Sequence, residues 1–101
     1  MSILHTISKS PFQNQSLSSC VAHASSGDAI LMIEDAVYGA VSGTAAAAQL
    51  AEGENISIYA LGPDLSARGL GEAKLAEGIN IVDYDGFVEL AVEYDKTQSW
   101  L

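Results

Sequence analysis

The residue best suited to covalent chemistry is Cys20, the one cysteine of the chain. A cysteine thiolate attacks a sulfur donor and carries the sulfane sulfur as a persulfide. With no second cysteine, Cys20 cannot resolve itself through an internal disulfide, so any sulfur it holds must leave to another subunit or protein. His23 lies three residues on, a neighbour on a helix surface, where it can favour the thiolate. A packing role competes with this reading. Leu17, Cys20, Val21 and Ala24 recur at i, i+3, i+4 and i+7, one apolar helical face. A cysteine on such a face is often a small buried hydrophobe.

The other candidates carry weaker signals. His5, near the end of an apolar run, can serve as a general base. No hydrolytic nucleophile is paired with it and G-x-S-x-G is absent, so a hydrogen-bonded structural histidine is the simpler expectation. The carboxylate pairs Glu34/Asp35 and Asp83/Asp85 can bind a hard cation, or simply favour helix N-termini. A nucleotide site needs a glycine-rich phosphate loop after a strand. Ser8-Lys9-Ser10-Pro11-Phe12 has no glycine, and Gly69-Leu70-Gly71 follows no strand directly and lacks a third glycine at the right place. No cofactor and no metal are therefore expected.

Composition narrows the partners. The chain has 101 residues, 49% of them hydrophobic and 17% charged, which fits one globular domain over 1–101. Four Lys and Arg stand against 13 Asp and Glu, a net charge of −9. Phosphate binding needs clustered cations, so neither direct nucleic-acid contact nor an anionic membrane surface is expected. The apolar share, on a small domain, predicts apolar surface left for an oligomer or a stable partner. A single cysteine excludes a disulfide scaffold and paired-cysteine metal sites. The first residues lack the basic start and long apolar core of a signal peptide, and no apolar run reaches the ~20 residues of a membrane span. The expected location is cytoplasmic.

Short apolar runs alternate with helical stretches. Strands are expected at Ser2 to Ile7, Ala29 to Ile33, Ile56 to Leu61 and Ile79 to Val82. Helices are expected from Ser16, as N-cap, to about Ser25; from Asp35 to about Val41; and from Ala45 to Ala51 behind Thr44. A short one comes after Gly62-Pro63-Asp64 and stops at Gly69, and the last runs from about Tyr84 to Tyr94 with Phe87, Leu90, Ala91 and Tyr94 facing the sheet. Asp95 to Leu101 reads as a tail whose Trp100 and Leu101 must dock on this domain or on a partner. Strand-helix repeated four times predicts an α/β fold: a mostly parallel sheet of about four to five strands with helices on both faces. In such sheets functional groups gather beyond the carboxyl ends of the strands. Strand order places His5, Glu34-Asp35, Asp64 and Asp83 there.

Four segments together resemble one family. Ile3-Leu4-His5-Thr6 with Lys9-Ser10-Pro11-Phe12 is similar to the N-terminus of the DsrH/TusB family. Leu61-Gly62-Pro63-Asp64-Leu65 with Ala67-Arg68-Gly69 resembles its middle motif. Asp83-Tyr84-Asp85-Gly86-Phe87-Val88-Glu89-Leu90 resembles its last helix, and Ser99-Trp100 its ending. The similarity runs in register along essentially the whole chain.

The resemblance implies a small subunit of a DsrEFH or TusBCD sulfur-relay complex, a heterohexamer with two copies of each of three similarly folded subunits. Such a complex takes persulfide sulfur from a TusA-like donor and passes it toward a DsrC/TusE-like acceptor. The main reactive cysteine belongs to the DsrE/TusD-type subunit, with DsrF/TusC as the third partner. The Dsr branch serves intracellular sulfur oxidation and the Tus branch serves tRNA wobble-uridine 2-thiolation. DsrH-like sequences carry a cysteine in the first helix and TusB-like ones typically lack it, so Ser18-Ser19-Cys20 points to the DsrH-like branch. The resemblance thus implies a sulfur-carrier or sulfurtransferase subunit at most, with no stand-alone turnover and Cys20 as its candidate carrier. A TusB-like subunit, or a purely structural one with an inert Cys20, is the alternative.

Overall fold

Ala29-Ile30-Leu31-Met32 has apolar side chains at successive positions, so as a strand it is apolar on both faces and must be covered on both. In the computed structural model, which describes residues 2–100, it forms the central strand β2 (Ala29–Met32), buried at all four positions. Its neighbours are β1 (Ile3–Ile7) and β3 (Ser57–Leu61). β4 (Ile79–Val82) borders β3, and β5 (Lys96–Trp100) borders β1. The order is β4-β3-β2-β1-β5 and every pairing is parallel.

Parallel strands require crossovers. These are α1 (Ser16–His23), a 3-10 helix (Glu34–Ala40) followed by α2 (Ala45–Ala51), α3 (Gly62–Ala67) and α4 (Tyr84–Glu93). Strand alternation sorts the side chains. Ile7, Ile30, Met32, Ile58 and Ala60 share one cluster with Leu17 and Cys20 of α1, the 3-10 helix, Leu50 and Leu65. Leu4, Ala29 and Leu31 share the other with Leu90, edged by Phe87, Tyr94 and Val82. Helices thus cover both faces, three crossovers on one and α4 on the other.

Local chemistry sets several boundaries. Thr44 Oγ1 accepts a bond from the Ala47 amide at 3.1 Å and caps α2 as expected. Asp83 Oδ1 accepts from the Gly86 amide at 2.8 Å and caps α4. Gly69, at φ +72°, ends the turn after α3 in a conformation that side chains resist.

Four expectations need correcting. Ser16 is not an N-cap: Gln15 holds that position, and the Ser16 amide donates to Asn14 Oδ1 at 2.7 Å. Asp35 does not cap the 3-10 helix, whose N-cap is Ile33. Ala91 is exposed and does not face the sheet. Asp95 to Leu101 is not a simple tail, because Lys96–Trp100 is a strand in register with β1 from Ile3↔Lys96 to Ile7↔Trp100. Four of the five residues of β5 are exposed, so it carries no apolar signature and is held mainly through its backbone. Asp95 reinforces it, accepting from the Ser2 amide at 2.9 Å. Trp100 docks on this domain; Leu101 lies outside the described residues.

Candidate functional site

Cys20 is on the inner face of α1, fully buried beside Leu17 and the β1 and β2 side chains. Burial, and secondarily the Asp28 charge, push its thiol up to about 12. A group with that pKa is ionised in roughly one molecule in 10⁵ at pH 7. His23, expected as its activator, points elsewhere: it is exposed and meets Trp100 edge-on, ring centroids 5.7 Å apart. The helical spacing that places Cys20 and His23 near one another in sequence thus leaves one inside and the other outside.

His5 is in the middle of β1, buried, and not in the crevice. Its Nδ1 accepts from the Trp100 indole N–H at 3.0 Å. An indole N–H only donates, so the ring proton sits on Nε2, which donates to Asp28 Oδ2 at 2.9 Å. Asp28 also accepts from the Ser25 amide and, through Oδ1, from the Ile3 amide, each at 3.0 Å. Burial works to raise the Asp28 carboxyl, but the Ser25 amide, the His5 ring and the Ile3 amide outweigh it and hold it below the usual carboxylate range. The chain Asp28–His5–Trp100 ties three segments together: the turn before β2, the middle of β1 and the end of β5. His5 is a hydrogen-bonded structural histidine, and its polar atoms are taken.

At the carboxyl edge of the sheet a second cluster forms. Arg68 Nε donates to Asp35 Oδ1 at 2.9 Å, and Arg68 Nη1 donates to the Asp64 carbonyl at 3.3 Å. Asp64 Oδ2 accepts from the Glu34 amide at 2.6 Å. Glu34 is left-handed at φ +49°, an uncommon state for a residue with a side chain. Arg68 and Asp64 thus hold the sharp exit of β2 against α3. Strand order brought Asp35 and Asp64 to this edge correctly, but gave no hint that Arg68 joins them. Asp28 lies in the turn before β2; its partner His5 is 23 residues away and no local spacing marks it.

Among the described residues no group of three or more His, Cys, Asp or Glu is placed to hold a metal ion. No helix among them is long and apolar enough to cross a membrane. The arrangement offers one shielded thiol and two polar clusters engaged in holding the fold.

Comparison with known proteins adds the family. The family described as DsrH like protein matches residues 9–97. Protein TusB of Pectobacterium parmentieri is 32% identical over 98 residues, covering 97% of this chain and all of that one. Protein TusB of Erwinia tasmaniensis is 35% identical with the same coverage. Among solved structures, the ychN protein from E. coli superposes with a TM-score of 0.80 over 99% of both chains at 15% identity, a likeness of fold alone.

Proposed function

The chain belongs to the DsrH family, and from that premise we propose that it is a structural subunit of a cytoplasmic sulfur-relay complex. The match over 9–97, with relatives named TusB covering 97% of the chain, carries this reading. The proposed partners are DsrE- and DsrF-like subunits in a heterohexamer, served by a TusA-like donor and a DsrC/TusE-like acceptor. In each transfer the acceptor thiolate attacks the terminal sulfur of the donor persulfide. The S–S bond breaks and the donor leaves as a thiolate. The burial and high pKa of Cys20 support giving these thiolates to the partners and leaving Cys20 as packing in α1. Cys20 as a persulfide carrier is the competing proposal, and it requires α1 to lift from β1 first.

The pathway depends on the branch. The cysteine of α1 favours the DsrH-like branch and intracellular sulfur oxidation. The relatives named TusB favour a second reading, the tRNA wobble-uridine thiolation relay. Either way the chain itself touches no nucleic acid, consistent with its net charge of −9.

The test is reconstitution of sulfur flow from a persulfidated TusA-like donor to a DsrC-like acceptor and to a TusE-like acceptor. Omitting this chain is expected to abolish transfer, while Cys20→Ser preserves it. Unchanged transfer without the chain would remove it from the relay. Loss of transfer in Cys20→Ser, with the variant folded and assembled, would make Cys20 the carrier. The acceptor that is loaded decides the pathway.

A further inference from the structure

A helix that only covers a sheet needs one apolar face. α4 has that face in Phe87, Leu90 and Tyr94, and it carries more. Tyr84, Val88 and Val92, at i, i+4 and i+8, form a second stripe that is 60%, 63% and 80% exposed. Ile81, 58% exposed, stands just ahead of the helix beside a shallow hollow shared with Gly62 and Gly86. These are four of the five exposed large hydrophobic side chains among the described residues.

The border of the stripe identifies its occupant. Asp85, Glu89 and Glu93 run beside it at the same four-residue spacing, and all three are exposed. α4 contains no Lys or Arg, and the chain has four cations in all. Two copies pairing through this stripe would set like charges along like charges, without cations between them. A different chain with a positive border would turn the same ridge into an attractive rim. We propose that this flank of α4 docks a partner protein whose contact ridge is apolar and bordered by Lys or Arg. The proposal deepens the relay reading and rests on it, since the partner is one of the other subunits of the complex.

Two variants test it, with binding to the DsrE- and DsrF-like subunits followed by sedimentation velocity. Val88→Glu/Val92→Glu is expected to weaken mixed assembly by about tenfold or more while far-UV circular dichroism stays unchanged. Glu89→Lys/Glu93→Lys leaves the apolar stripe intact and is expected to weaken it too, and 1 M NaCl is expected to weaken the wild-type complex. Wild-type assembly that neither variant disturbs would overturn the docking face while leaving the relay reading standing. Failure of the wild-type chain to bind either subunit would overturn both. Dimers of this chain alone, broken by Val88→Glu/Val92→Glu, would give the face to a second copy and overturn the proposal.

Discussion

Asp28 shows what one buried carboxylate does for this fold. It gathers two backbone amides and the His5 ring, and His5 in turn receives Trp100. Asp28→Asn puts an amide N–H₂ where an acceptor is needed. The expected loss is about 1.5–3 kcal/mol in urea unfolding at pH 7, the range for hydrogen bonds to a charged group. The folded pKa of Asp28 is depressed, so its contribution is complete above the unfolded value of ~3.9 and disappears as pH falls through the lower folded value. Wild type should therefore lose stability across that acid range more steeply than Asp28→Asn, and equal slopes would contradict this role. Very little of it was legible in the sequence. His5 and Trp100 stood out, but 95 residues separate them, and Asp28 sits in a turn that any small polar residue could occupy. Cys20 was legible as a residue and ambiguous as a role, because helical spacing says which side it is on and not how deep.

At the scale of elements, the sequence was clear wherever packing dictated pattern and silent where the backbone did the holding. β2 is evident from its apolar run, and α2 and α4 from their capping side chains. β5 has Lys, Thr, Gln and Ser at its first four positions, so nothing but its pairing with β1 reveals it. The junction of β4 and α4 is tight. A Cβ placed on Gly86 would sit 2.9 Å from Val82 Cβ, closer than carbon atoms approach. Gly86→Ala gains about 1 kcal/mol of helix propensity and meets an overpacking penalty of about 1–3 kcal/mol. The clash should win, lowering the thermal midpoint by a few degrees, on the order of the 4–8 °C that 1 kcal/mol represents in a domain this size. A raised midpoint would mean that α4 shifts freely on the sheet.

For the molecule as a whole, order and chemistry separate cleanly. Four successive strands step across the sheet, and the last crossover returns the chain to the far edge, where β5 closes on β1. The fold class was legible in the strand-helix alternation, and the sheet proved parallel throughout. The apolar share of the sequence predicted surface left over for a partner, and Ile81, Tyr84, Val88 and Val92 are exposed. The placement of that apolar surface on α4 was not legible, because the same valines fit a helix buried on two sides. On the reading proposed above, this chain supports a relay whose reactive thiols lie on its partners. Its most direct test exposes the assembled complex to a persulfidated TusA-like donor and weighs each subunit by intact mass spectrometry. A gain of ~32 Da, one sulfur atom, is expected on the DsrE-like subunit and not on this chain. A gain on this chain that vanishes in Cys20→Ser would make Cys20 a sulfur carrier and overturn that reading.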